Sequence, residues 1–156
     1  MAKELREGLK APAFKMATDG GGTAQLKDFA GKALVLYFYP KDDTPGCTKE
    51  AIGFSERYAE FQDAGAEILG VSADPAAKHD KFKAKHDLSI PLASDEDHAT
   101  LEKFGVWVEK SMYGKKYMGI ERATFLIDAD GKIARIWRKV KVPGHVDEVF
   151  GAVEAL

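Results

Sequence analysis

Residues 37–50 read YFYPKDDTPGCTKE and decide the fold: an apolar segment ends here in a turn, and the only cysteine of the chain follows. The segment 33–39, ALVLYFY, is apolar throughout, which is typical of a strand buried on both faces of a sheet. Thr44 and Pro45 predict a helix start, because a threonine hydroxyl can cap the first backbone N–H groups and proline has a fixed helical φ. Cys47 is therefore predicted in the first helical turn.

The predicted helix has one apolar face, whose members recur at steps of four and three residues: Cys47, Ala51, Phe54, Tyr58 and Phe61. This spacing predicts a helix packed against the sheet. We expect it to end at Ala64-Gly65, since glycine readily adopts the left-handed conformation that follows a helix.

Two interpretations of Cys47 are open at this point. A lone cysteine on an apolar helix face is commonly inert packing. The start of the helix favours a reactive sulfur instead, because unpaired N–H groups and the positive end of the helix dipole favour a thiolate over a thiol. Gly46 also lets a ligand approach the backbone closely. We therefore interpret Cys47 as reactive.

Composition excludes several classes of protein. The chain has 156 residues, 45% of them hydrophobic and 31% charged, and we assign residues 1–156 to one domain. A net charge of -2 with both signs interspersed gives no electrostatic reason to bind nucleic acid or an anionic membrane, and the apolar runs are too short to span a bilayer. One cysteine cannot form an internal disulfide, and residues 1–7 lack the apolar core of a secretory signal, so we expect a cytoplasmic protein.

The order of predicted elements indicates an α/β fold. Two predicted strands are each followed by a predicted helix: 33–39 then 45–64, and 66–72 then 74–87. Such alternation implies parallel strand pairing with right-handed crossovers. The turns at 19–23 and 128–132 predict an N-terminal hairpin and a second hairpin near the other end of the chain. Residues 110–119 are interpreted as a loop at the rim of the pocket around Cys47. We predict a central mixed β-sheet flanked by helices.

Two stretches around the cysteine, FYP at 38–40 and TPGCTKEA at 44–51, resemble the peroxidatic motif of peroxiredoxins, specifically the bacterioferritin comigratory protein or peroxiredoxin Q group. The similarity covers nearly the whole chain and includes GIERATFLID at 119–128. The resemblance implies a thioredoxin-like fold. It also implies an enzyme that needs no metal or organic cofactor, whose cysteine attacks the O–O bond of hydrogen peroxide or a small organic hydroperoxide to give a sulfenic acid.

The resemblance implies a role for each residue of the motif. Cys47 is the nucleophile, Thr44 orients the peroxide through its hydroxyl, and Pro40 shields the sulfur from bulk water. Arg122 stabilises the thiolate and the transition state. Independently of the family, negative charge moves from sulfur to the departing oxygen, so the backbone N–H groups of Gly46 and Cys47 and a guanidinium would stabilise the transition state.

Three side chains near this motif have alternative interpretations. Arg122 could instead be a surface arginine in an ion pair. Glu50, one turn after Cys47, is a candidate for orienting Arg122, or else a solvated carboxylate at the helix start. We interpret Tyr39 as a buried strand residue with no direct chemical role.

The chain departs from the family in lacking a second, resolving cysteine. Many members carry one five residues after the first, where this chain has Ile52, and others carry one on the next helix, where residues 78–87 contain none. We therefore predict a one-cysteine cycle in which an external thiol (glutathione, glutaredoxin or thioredoxin) reduces the oxidised sulfur. Two chains could join covalently only through Cys47, and we expect a monomer or a weak homodimer.

Two rival functions and two candidate cation sites are less consistent with the sequence. A thioredoxin-like thiol-disulfide oxidoreductase would need the Cys-x-x-C that this chain lacks, and a non-enzymatic chaperone or binding module on the same fold would show no peroxide-dependent change at Cys47. The histidines are scattered, so no metal site is predicted. Residues 95–97, DED, lack the spacing of a calcium loop, and we expect them to cap the following helix.

Overall fold

A seven-stranded sheet organises the chain. The structure is a computed structural model and describes residues 4–156. The strands are β1 (Lys15–Thr18), β2 (Thr23–Gln25), β3 (Ala33–Phe38), β4 (Ala66–Ser72), β5 (Leu92–Ser94), β6 (Trp107–Met112), β7 (Lys115–Ile120), β8 (Ala123–Ile127) and β9 (Ile133–Trp137). The helices are α1 (Pro45–Glu56), α2 (Tyr58–Asp63), α3 (Ala76–His86), α4 (Ala99–Lys103) and α5 (His145–Glu154).

The central sheet has the order β2-β1-β5-β4-β3-β8-β9. β3 pairs in parallel with β4, and β4 with β5, as the strand and helix alternation predicted. The hairpins β1-β2 and β8-β9 are antiparallel and complete a mixed sheet, which confirms the predicted fold class and its N-terminal hairpin.

The central strand β3 is buried along its whole length and divides its side chains between two apolar cores. Leu36 and Phe38 face one core with Phe104, and Val35 faces the other with Phe54. Cys47, Phe54 and Phe61 all lie in this second core, as their spacing predicted. The face of the sheet that receives α1 is therefore also the face that holds the sulfur.

The predicted helix 45–64 is interrupted. Arg57 has φ -105° and ψ 7°, and it separates α1 from α2. The apolar spacing gives no sign of the break, because Phe54 before it and Phe61 after it are packed in the same core. The prediction of a single helix was therefore wrong in this detail.

The predicted loop at 110–119 was also wrong, because most of it belongs to the hairpin β6-β7, a separate two-stranded sheet. Tyr113 and Gly114 connect the strands and both have positive φ, 52° and 78°, as a tight hairpin turn requires. Residues 111–118 are exposed on both sides of the hairpin, so no alternation of buried and exposed residues marks the strands there.

The acidic stretch 95–97 caps α4 as expected. Asp95 accepts a hydrogen bond from the Leu101 N–H at 2.7 Å, and Asp97 accepts one from the Ala99 N–H at 3.1 Å. Across residues 4–156, every helix is too short or too polar to cross a membrane.

Candidate active site

The loop between β3 and α1 presents the motif residues. α1 begins at Pro45, and its first hydrogen bond runs from the Thr48 N–H to the Thr44 carbonyl, so the N–H groups of Gly46 and Cys47 precede the helical ladder. The sequence predicted that the Thr44 hydroxyl caps this helix, and that prediction was wrong. The hydroxyl donates to the Lys41 carbonyl at 2.8 Å instead, which folds the loop back on itself.

Cys47 lies in the first turn of α1 and is only 2% exposed. It is a free cysteine that packs in the same core as Tyr39 and Ala51. Burial shields the sulfur from bulk water while the polar start of the helix remains next to it.

Arg122 comes directly before β8 and reaches the sulfur from 75 residues away. Its Nη2 donates to Cys47 Sγ at 3.3 Å, and its Nη1 donates to Glu50 Oε1 at 2.7 Å. A Cβ at Gly46 would lie 3.2 Å from Nη2, so glycine leaves room for the guanidinium at this position. The planar guanidinium of Arg122 therefore connects the first and second turns of α1.

The alternative interpretations placed both charged residues at the surface, which was wrong, although Arg122 does form an ion pair, with Glu50. Glu50 is fully buried rather than solvated, and the side chain of Arg122 is only 17% exposed. Burial raises the pKa of Glu50 to about 7, although the neighbouring guanidinium of Arg122 lowers it. Burial alone would lower the pKa of Arg122. The charges and hydrogen bonds of Glu50 and Cys47 have the larger combined effect and raise it. Arg122 thus stays charged at neutral pH, while burial disfavours the ionised form of Glu50.

The remaining predicted residues lie around this centre. Tyr39 is 1% exposed and therefore buried as predicted, although β3 ends one residue before it, at Phe38. Pro40 is partly exposed at the start of the loop that leads to Thr44. In the part of the chain that the structure describes, no group of three or more His, Cys, Asp or Glu side chains could hold a metal ion.

Sequence reasoning missed two polar residues close to the site, Asp42 and His79, and placed a third, Lys110, only within the segment at the rim of the pocket. Asp42 and His79 are buried and hydrogen-bonded to each other, with Asp42 in the loop before α1. Lys110 extends over Gly119, where a Cβ would lie 3.2 Å from its Cδ. Partial burial lowers the pKa of Lys110, and the charge of Arg122 lowers it further. The spacing of His79 and Phe82 on the buried face of α3 was the available signal for His79.

Comparisons with known proteins agree with this fold and site. The AhpC/TSA family model matches residues 8–136. The putative peroxiredoxin bcp of Coxiella burnetii is 53% identical over 147 residues, which cover 94% of this chain and 97% of that protein. Peroxiredoxin Bcp of Bacillus subtilis is 52% identical over 143 residues, or 92% of this chain and 91% of that protein. A structure of peroxiredoxin Q from Xanthomonas campestris has a TM-score of 0.90 and 48% identity, covering 96% of this chain and 97% of that chain.

The thioredoxin-like sheet and the buried helix-start cysteine thus define a thiol-dependent peroxidase. The chain belongs to the AhpC/TSA family and, within it, to the Bcp or peroxiredoxin Q group of peroxiredoxins. Another structure of the Xanthomonas campestris bacterioferritin comigratory protein concerns its alkyl peroxide reduction activity.

The cysteine content separates this chain from that relative. Two further structures of Xanthomonas campestris peroxiredoxin Q are cysteine-to-serine mutants at two different positions, so that protein has at least two cysteines. The present chain has one.

Proposed function

We propose that Cys47 is the nucleophile that reduces hydrogen peroxide and small organic hydroperoxides. The thiolate sulfur attacks one peroxide oxygen, the S–O bond forms as the O–O bond breaks, and the departing oxygen takes a proton and leaves as water or an alcohol. Cys47 is left as a sulfenic acid. The observation that carries this proposal is the 3.3 Å contact between Arg122 Nη2 and Cys47 Sγ at the start of α1.

The other residues of the site act on the developing charge. The guanidinium of Arg122 and the N–H groups of Gly46 and Cys47 donate toward the oxygens, where the negative charge grows. The hydrogen of the Thr44 hydroxyl is engaged by the Lys41 carbonyl, so its oxygen is available to accept the hydrogen bond of the peroxide O–H. Pro40 covers the approach to the sulfur, and Glu50 orients Arg122.

We propose that an external thiol completes the cycle. A thiolate attacks the sulfur of the sulfenic acid, releasing water and forming a mixed disulfide, and a second thiolate then displaces Cys47 from that disulfide. Glutathione, glutaredoxin and thioredoxin are the candidate reductants. Because Cys47 is 2% exposed, a protein reductant needs the first turn of α1 to move before it can reach the sulfur.

Peroxide consumption with dithiothreitol as reductant tests the nucleophile. Cys47→Ser should abolish consumption, and substantial residual activity would contradict the assignment. Intact-protein mass spectrometry after one equivalent of peroxide should show one added oxygen, which a sulfenic-acid trap captures at Cys47.

Because the chain lacks a resolving cysteine, a variant that adds one tests the one-cysteine cycle directly. Ile52→Cys places a second sulfur five residues after Cys47 on α1, too far away for a disulfide while the helix is intact. Once this part of α1 unwinds, peroxide should remove two hydrogens from the chain rather than add one oxygen. Coupled assays with glutathione, with glutaredoxin and with thioredoxin identify the reductant. Turnover of the unmodified protein with no added thiol would refute the one-cysteine cycle.

We also propose that residues 1–156 form one domain, because both apolar cores pack against the same sheet. A cytoplasmic location is proposed because a single catalytic cysteine depends on a compartment that supplies reduced thiols. A monomer or weak homodimer is the proposed oligomeric state, which sedimentation velocity at several protein concentrations measures.

A further inference from the structure

A buried polar network lies behind the active-site loop and takes no part in the chemistry described above. The Tyr39 hydroxyl donates to Asp42 Oδ1 at 2.6 Å, and His79 Nδ1 lies 2.6 Å from Asp42 Oδ2. His79 Nε2 lies 2.9 Å from the carbonyl oxygen of Ala93 on β5. His79 is completely buried, Tyr39 is 1% exposed and Asp42 is 2% exposed.

The hydrogen bonds of this network fix its number of protons. The Ala93 carbonyl can only accept, so His79 Nε2 carries a hydrogen. One further proton lies between His79 Nδ1 and Asp42 Oδ2, on the nitrogen in an ion pair or on the oxygen in a neutral pair. The Asp42 and His79 side chains together have zero net charge in both forms, and each polar hydrogen in the network has an acceptor.

The network connects helix α3 to the loop that precedes Cys47. His79 lies on α3, and Asp42 lies between Pro40 and Thr44 in the loop. The Asp42 N–H donates to Asp74 Oδ2 at 2.8 Å, which fixes the backbone of the same residue.

The next residue of the loop is also held by α3. Asp43 has a φ of 60°, a conformation that a non-glycine residue adopts at some cost, and its carboxylate contacts Lys85 at 2.7 Å and His86 at 2.8 Å. Thr44 then closes the turn through the Lys41 carbonyl. The loop is therefore held on one side by α3 and leads on its other side into the first turn of α1.

We propose that Asp42 and His79 are positioning residues that hold Thr44 and the first turn of α1 in the geometry that reacts with peroxide. Leaving a buried polar group without its partner costs about 1–3 kcal/mol, so the intact network favours one arrangement of the loop. A misplacement of about 1 Å at the reacting centre can reduce the rate about a hundredfold. This inference rests on the proposed role of Cys47 and adds a requirement for how that residue is presented.

The experiment compares two reactions of the same sulfur. Reaction with peroxide needs Thr44 and the helix start in place, whereas alkylation by iodoacetamide needs only an accessible thiolate. The second-order rate constant with peroxide, divided by that with iodoacetamide, therefore reports how well the sulfur and Thr44 are positioned. Unfolding would expose the buried sulfur to iodoacetamide and lower the ratio by itself, so the ratio is compared only among variants whose circular dichroism spectrum is native.

Two substitutions at Asp42 separate positioning from simple packing. Asp42→Ala removes the partners of Tyr39 and His79, and the ratio should fall about tenfold to a hundredfold. Asp42→Asn keeps the network in neutral form, since the amide donates to His79 Nδ1 and accepts from Tyr39, and its ratio should stay within about threefold of the unmodified protein. Lys83→Gln is the matched control, because Lys83 also lies on α3 but pairs at 2.8 Å with Asp19, outside the active-site loop. Its ratio should not change.

Several outcomes would overturn the inference. One is an unchanged ratio in Asp42→Ala with a native circular dichroism spectrum, and another is an Asp42→Asn ratio that falls as far as that of Asp42→Ala. If Asp42→Ala does not fold, Tyr39→Phe replaces it: this variant removes one donor to Asp42 and should lower the ratio, and an unchanged ratio would count against the inference. Failure of the unmodified protein to react with peroxide would instead refute the proposed function.

Discussion

Replacing Glu50 by glutamine removes a carboxyl group that is fully buried on α1 and hydrogen-bonded to Arg122. The amide oxygen of glutamine can still accept the bond from Arg122 Nη1, so the variant removes the ionisation and keeps the contact. In the folded protein, burial raises the pKa of Glu50 from 4.5 to about 7 against the opposing effect of Arg122.

The size of the effect follows from proton linkage. Between pH 4.5 and about 7, the folded protein holds a proton on Glu50 that the unfolded chain has released, so unfolding becomes easier as the pH rises through this interval. At 1.36 kcal/mol per pH unit, the contribution of Glu50 to stability is fully present below pH 4.5 and falls by about 3 kcal/mol by the time the pH passes 7. Glu50→Gln has no such loss. The free energy of unfolding of the variant should therefore gain about 3 kcal/mol relative to the unmodified protein over this interval.

Urea unfolding followed by tryptophan fluorescence measures this difference at pH 4.5 and at pH 8. Titrating groups that are not coupled to Glu50 contribute equally to both proteins and cancel in the comparison. Glu56→Gln changes an exposed carboxyl on the same helix, and its difference from the unmodified protein should vary far less with pH. A Glu50→Gln difference that is the same at both pH values would refute the reasoning from burial.

Three further substitutions test the surroundings of the site. Arg122→Lys should lower kcat/KM for peroxide about a hundredfold, because one ammonium cannot donate to Cys47 and Glu50 at once as the guanidinium does. A fall of less than about fivefold in stopped-flow assays would contradict this. Tyr37→Phe removes a buried hydroxyl without a hydrogen-bond partner in the described structure, and urea unfolding should show stability unchanged or raised by about 1 kcal/mol, whereas a clear loss would mean that the hydroxyl is satisfied. Burial lowers the pKa of His145 from 6.5 to about 4, so stability should fall by about 2 kcal/mol, allowing for solvent screening, as the pH drops through this range. His145→Gln should lack that loss in unfolding experiments at pH 7 and pH 4, and an equal loss in both proteins would exclude His145 as its source.

The parts of the fold with a one-sided or fully apolar pattern could be predicted from sequence. β4 was predicted with its observed bounds, 66–72, and β3 within one residue, because both strands are buried almost throughout. The hairpin at 107–120 was missed because most of its residues are exposed on both faces. The break at Arg57 was missed because the apolar spacing continues across it.

The residues of the site also differ in how far the sequence could predict them. Cys47 could be predicted from local chemistry, because it belongs to the first turn of a helix that follows a buried strand. The local prediction for Thr44 was a helix cap, which was wrong, and its proposed role came from the family resemblance. Arg122 has no local signal and was identified only through the family resemblance, because its role depends on a contact between residues 75 apart in the chain. Asp42 and His79 were missed because polar residues in a loop and on a highly charged helix are ordinarily exposed.

The raised pKa of Glu50 also bears on how Arg122 can stabilise the Cys47 thiolate. A fully ionised Glu50 would neutralise the guanidinium and compete with the Cys47 thiolate for its charge. Because burial favours the neutral acid below about pH 7, Glu50 can hold Arg122 through the 2.7 Å hydrogen bond without cancelling its charge. Orientation and charge are then separable: Glu50→Gln should keep peroxide reactivity, whereas Glu50→Ala should lower it about tenfold by releasing the guanidinium. Equal loss of peroxide reactivity in both variants would mean that the charge of Glu50, rather than its hydrogen bond, is what the site requires.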